Sequence, residues 1–127
     1  MTISKEVLAR NAACNAIVQL VDSGSTYPQG HLSIYDASAN LIFWHPLSNP
    51  SFSSSLDGTS ISATIFDAVA LIDGTATNFA FENRDGSAVW NGDVGISGSG
   101  ASLQLESTII AQDSTNSMQS AIYVVPS

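Results

Sequence analysis

The sequence predicts a mainly β fold: a single β-sandwich or small barrel of about eight short antiparallel strands, preceded by one N-terminal amphipathic α-helix. Three observations carry this. Apolar residues recur at helical spacing only in residues 4–23. From residue 31 onward they recur at every second position. Turn residues (Gly, Pro, Asn, Asp) then interrupt the chain at short, regular intervals. Length and composition allow one domain, residues 1–127, with the helix at 4–23 and the β-rich part at 31–125.

Each element has its own reason. In 4–23, Ser4 is placed to cap the first turn and Glu6 to meet the positive end of the helix dipole. Val7, Cys14 and Val21 repeat at seven, with Ala13, Ile17 and Leu20 on adjoining rows, giving one apolar stripe. Gly24 is the expected stop. In 31–36, Leu32 and Ile34 alternate with Ser33 and Tyr35, as in a half-buried strand, and 41–45 follows after Ala37-Ser38-Ala39-Asn40. Pro46, Pro50 and Ser53-Ser54-Ser55 mark an irregular connection. Residues 59–66 alternate Ile61, Ala63 and Ile65 on one face with Ser60, Ser62 and Thr64 on the other. The apolar run 68–72 reads as a strand buried on both faces, and Asp73-Gly74 as a turn.

The clearest hairpin pairs 77–82 with 87–90 around Asn83-Arg84-Asp85-Gly86, where Gly86 supplies positive φ. Asn91-Gly92 reads as a second tight turn before a strand at 93–96. Gly98-Ser99-Gly100 is a flexible break. Strands at 102–106, 108–112 and 118–125 complete the set, and there is no internal repeat.

Composition excludes several functions. Only 11% of residues are charged, with 3 Lys+Arg against 11 Asp+Glu and a net charge of -8. Three cations neutralise too few phosphates for a nucleic-acid binder, and they give no grip on an anionic membrane surface. Apolar runs such as 68–72 fall far short of the roughly 18 residues that span a bilayer. Residues 1–23 do not read as a signal peptide, because no apolar core follows Lys5 and Arg10. Cys14 is the only cysteine, so no intrachain disulfide forms. Serine and threonine take the place of charge, 21 and 8 of the 127 residues. Short hydroxyl side chains have little entropy to lose, which suits a sheet surface that packs against another protein.

Reactive groups are few, and no enzyme is expected. His31 and His45 are the only imidazoles, and no Gly-x-Ser-x-Gly elbow accompanies them. His45, in Trp44-His45-Pro46, reads as exposed or half-packed. Cys14 lies among Ala, Val and Ile, an inert setting. One Cys and two His cannot form an ordinary structural zinc site. Asn83-Arg84-Asp85-Gly86 is like half of a calcium loop but lacks the following ligands. Gly98-Ser99-Gly100 lacks the lysine of a phosphate loop. No catalytic, metal or cofactor residue is therefore expected. Trp44 and Trp90 are the candidate partner contacts, and either would serve as a carbohydrate platform if exposed beside Asn or Asp.

One pattern resembles a known group. Thr77-x-Phe79-x-Phe81, then Gly86-x2-Val89-x2-Gly92-x-Val94-Gly95, resembles a segment of small virion proteins of tailed bacteriophages that reads T-x-F-R-L, a turn, and V-x-x-G-x-V-G. Leu47-Ser48-Asn49-Pro50-Ser51-Phe52, followed by Gly58, resembles the L-S-N-P-A-F segment of the same group. These are structural motifs of turn glycines and core aromatics. Ala80 departs from them, standing where arginine is common. The resemblance implies a non-enzymatic head decoration (cement) protein on the capsid exterior, acting as a small oligomer that clamps major capsid protein and stabilises the shell. The alternatives are a neck or tail component, or a glycan- or receptor-binding β-sandwich module. The helix is expected to cover an open face or edge of the sandwich rather than to reach a neighbouring subunit, since a bare edge needs protection.

Overall fold

A computed structural model describes residues 3–53, 59–118 and 122–124. Among these residues are one helix, α1 (Ile3–Leu20), and eleven strands, most of them short. The long ones build a single sheet: β1 (His31–Tyr35), β2 (Leu41–Pro46), β6 (Asn78–Glu82), β7 (Ala88–Ile96) and β8 (Leu103–Leu105), in the order β2-β1-β6-β7-β8. This sheet curls into a half-barrel. Three two-stranded ladders accompany it: β3 (Thr59–Ile61) with β11 (Ile122–Val124), β4 (Ala68–Val69) with β10 (Thr115–Asn116), and β5 (Gly74–Thr75) with β9 (Ile109–Ile110). The mainly β fold with one N-terminal helix is as the sequence predicts.

The hollow of the half-barrel is filled from alternate positions. Leu32 and Ile34 of β1 and Phe79 and Phe81 of β6 point inward. Trp90 of β7 stacks on Phe81 with centroids 4.4 Å apart and rings 24° from parallel. Phe52 meets both rings, at 5.5 and 5.6 Å. It comes from the irregular segment after β2, which contains a cis Asn49–Pro50 bond. The Asp22 carboxylate, just past α1, holds this segment by accepting the Ser51 amide at 3.0 Å.

The helix packs over the β3–β11 ladder, so it covers part of the sheet system. Its buried side is Cys14, Val18 and Val21. This is narrower than the predicted stripe: Ala13 and Leu20 are exposed, while Ser4, Glu6 and Val7 lie outside the residues whose side chains are described. The helix stops near Gly24, whose φ is 112°. A Cβ there would also sit 2.8 Å from Asp85 Cγ.

Five expectations are corrected. Asn91-Gly92 is no turn; both residues lie inside the nine-residue β7. Gly92 faces Phe79, and a Cβ there would lie 2.7 Å from the ring, so the glycine makes room for an aromatic. In 59–66 the expected faces hold only at Thr64 and Ile65; before them Ser60 and Ser62 are buried while Ile61 and Ala63 are exposed. Ser60 can be buried because its hydroxyl donates to the Ser53 carbonyl, and small side chains on this strand leave room for α1. The 68–72 run is not buried on both faces; Ala68 and Ala70 point in while Val69, Leu71 and Ile72 are exposed. Gly74 opens a strand against β9 rather than forming a turn with Asp73. Finally, β7 and β8 are parallel, not antiparallel. Gly98 and Gly100, at φ 86° and 82°, let residues 97–102 fold back against Gly95 without a helical crossover. The break, the 77–82 hairpin and the first two strands lie where expected. Of the predicted strand 118–125, only Ile122–Val124 is seen as strand; residues 119–121 and 125 are outside the described part.

Two measurements check this packing. Phe81→Ala is expected to cost about 3–5 kcal/mol, and Gly92→Val about 1–3 kcal/mol through overpacking, by urea denaturation. Deleting residues 1–23 is expected to leave an unfolded chain by circular dichroism; a folded truncation would show that the helix covers nothing essential.

Candidate functional site

The candidate site is the outer face of the five-stranded sheet. With Leu32, Ile34, Phe79 and Phe81 turned inward, strand alternation turns His31, Ser33, Tyr35, Asn78, Ala80 and Glu82 to the other side, where His31, Ser33 and Ala80 are themselves buried. The β1–β6 register sets His31 opposite Glu82 and Ser33 opposite Ala80. On the flanks, Trp44 of β2 lies opposite Ser33, and Asn91 of β7 opposite Ala80.

Glu82 is the hub. One carboxylate oxygen accepts the Ser33 hydroxyl at 2.6 Å and the other accepts the Tyr35 hydroxyl at 2.5 Å. Burial and this bond to the carboxylate push the Tyr35 phenol up to about 12, so it stays protonated and keeps donating. Beside Glu82 runs an aromatic row. The His31 ring meets Tyr27 edge-on at 5.0 Å and Trp44 at 4.3 Å.

Tyr27 is placed by a strap between the segment after α1 and the β6–β7 turn. Asp85 accepts the amides of Ser25 and Thr26 and the Thr26 hydroxyl. Arg84 donates through Nε to the Tyr27 carbonyl at 2.7 Å. Those bonds hold the Asp85 carboxyl below its usual range. At the other end of β1, Asp36 closes its loop on the amides of Ser38 and Asn40, with Ala39 at φ 64°.

Two depressions flank Glu82. The larger, about 490 Å³, is lined by Tyr35, Asn78, Phe79, Ala80, Asn91 and Gly92 among others. Small side chains open it, and Ala80 is the position where the phage-like pattern has arginine. The smaller, about 140 Å³, lies between Glu82 and the Tyr27–His31–Trp44 row.

Ser33 donates to Glu82, not to a histidine. His45, expected near the surface, is only 1% exposed and its Nδ1 bonds the Phe66 carbonyl at 2.8 Å. It belongs to the inner face, opposite Leu32. Cys14 is buried on the helix. Among the described residues, no three His, Cys, Asp or Glu side chains converge on a metal position. No helix among them is long and apolar enough to cross a membrane.

The predicted residues divide between the two faces. Trp44 is half-buried on the outer face. Trp90 is also half-buried, but on the inner face, where it stacks on Phe81. Phe79 and Phe81 are core, and Val89 and Val94 pack against it. Gly86 turns the hairpin at φ 84°. Thr77 joins β1 to β7, its amide on the Tyr35 carbonyl and its carbonyl accepting from Val94. Gly92 and Gly95 lie where neighbouring atoms leave no room for a Cβ. Ser33, Tyr35 and Glu82 are brought together only by the β1–β6 register, and Tyr27 joins them only through its bonds to Arg84 and its contact with His31, so no local pattern marks the site.

The chain matches no protein-family model, no curated protein and no solved structure at a significant level.

Burial pushes both histidines below their ordinary value of 6.5, although Glu82 opposes this at His31 and the Phe66 carbonyl and Asp67 oppose it at His45. The folded protein therefore binds fewer protons than the unfolded chain once pH drops through 6.5, and stability falls with acid. Melting temperature is expected to decline from pH 7 to 5. The decline should flatten in a His31→Gln, His45→Gln double variant; an unchanged slope would refute the assignment.

Proposed function

We propose that this protein is a non-enzymatic structural component of a tailed-bacteriophage particle, docked on the capsid exterior, where it cements major capsid protein subunits as a small oligomer. The observation that carries the docking role is a stretch of chain rich in exposed apolar side chains. Ile61, Phe66, Val69, Leu71 and Ile72 are all exposed within twelve residues of chain. Ile109, opposite Thr75 across the β5–β9 ladder, is 78% exposed. Large apolar side chains concentrated in one stretch are costly in water and favour burial against another protein. The virion placement is supported by the resemblance of the 47–52 and 77–95 segments. The low charge fits a surface that a neighbour covers without desolvating many ions.

A second reading is kept because of the outer face. Trp44, Tyr27, Asn78 and Asn91 there give the mix of aromatic and amide groups that a glycan-binding module uses. A neck or tail position is the third.

Copy number separates head from neck. Gel densitometry of purified particles is expected to give hundreds of copies, and a dozen or so would place the protein in the neck. Leu71→Ser and Ile109→Ser are expected to change stability by no more than about 0.5 kcal/mol. Together they should weaken particle binding at least tenfold, about 1.4 kcal/mol. Binding on a glycan array that fades with Trp44→Ala would favour the second reading.

A further inference from the structure

We infer that the depression between Glu82 and the Tyr27–His31–Trp44 row is a socket for one cationic side chain, an arginine or lysine of the protein on which this chain docks. The inference deepens the docking role proposed above and rests on it only for the source of the side chain.

Four observations converge. First, Glu82 is anchored. Its two oxygens are held by Ser33 and Tyr35, so the carboxylate is aimed before any partner arrives. A carboxylate has about four acceptor positions, so roughly two remain for a guanidinium or ammonium. Second, the opposite wall is aromatic, and a cation over Trp or Tyr is attracted by the ring's negative face. Tyr27 is 45% exposed, so an incoming side chain reaches that wall directly. Third, the volume of about 140 Å³ suits a guanidinium and its last methylenes, not a saccharide chain. Fourth, the molecule has little cation of its own to offer, with 3 Lys+Arg in a net charge of -8. Arg84 sits on the adjoining turn, but its Nε is bonded to the Tyr27 carbonyl. His31, across from Glu82, is kept below its usual range by burial and brings little positive charge at neutral pH.

The socket also divides labour with the exposed apolar side chains. These supply non-directional burial. A single aimed carboxylate, partly shielded from water, fixes register in a way that an exposed ion pair does not.

The test uses the full chain and a probe in place of the partner. N-acetyl-arginine amide is titrated into labelled protein and followed by two-dimensional NMR, with the neutral citrulline analogue as control. The expected result is saturable shifts at the Trp44 indole and at the amides of 31–35 and 80–82, with a millimolar Kd (about 1–10 mM). Citrulline should bind at least fivefold more weakly. Glu82→Gln, and separately Tyr27→Leu at the exposed wall, should each weaken arginine binding severalfold while spectral dispersion stays that of a folded protein. Equal binding of the two probes, no saturable arginine shifts up to about 50 mM, or the same residues responding to a trisaccharide instead would overturn the socket. Failure of the docking role shows separately, as variants of the exposed apolar residues that bind particles like the wild type.

Discussion

The fold depends on filling one hollow with few large side chains. The Phe81–Trp90 stack lies at the centre, with Phe79 beside Phe81 and Phe52 closing over both. Phe52 belongs to no long strand, so the filling also recruits the segment after β2. That segment is tied through Ser51 to Asp22 at the end of α1. Helix, irregular loop and sheet thus share one aromatic cluster. Gly92 shows how tight it is, because even a methyl group there meets Phe79.

Concentrating bulk in the hollow explains the rest of the surface. The short ladders outside the main sheet turn small residues inward: Ser60 and Ser62 near β3, Ala68 and Ala70 around β4. Their larger apolar neighbours must then point out, because strand side chains alternate. These exposed side chains are the geometrical counterpart of a small-residue interior. On the main sheet the opposite holds. Phe79, Phe81 and Trp90 turn in, while His31, Tyr35 and Trp44 turn out beside the polar groups around Glu82.

Legibility followed locality. The first two strands and the 77–82 hairpin were readable because alternation and turn chemistry act within a few residues. The 59–72 stretch was not, because a period of two does not say which face is buried. Ile61 looked like core and Ser60 like surface; the helix packed on that strand decided otherwise. Asn91-Gly92 carries a turn signature, yet its glycine answers to Phe79 on the neighbouring strand. The candidate site was least legible. His31, Tyr35 and Glu82 were visible singly, but the β1–β6 pairing spans some fifty residues and no local pattern encodes it. Trp90 and Trp44, equal in sequence terms, were separated only by register.

The strap at Arg84 has a consequence for proteolysis. The chain offers trypsin only Lys5, Arg10 and Arg84 as cleavage residues. Arg84 lies at the far tip of the main hairpin, where its amide donates to the Ser23 carbonyl and its carbonyl accepts from the Tyr27 amide. A protease needs that backbone free and extended. Cleavage at Arg84 therefore requires both of these hydrogen bonds to open, which frees the Tyr27 backbone from its anchor. Here the scarcity of cations turns an ordinary digestion into a local gauge of whether that anchor is in place.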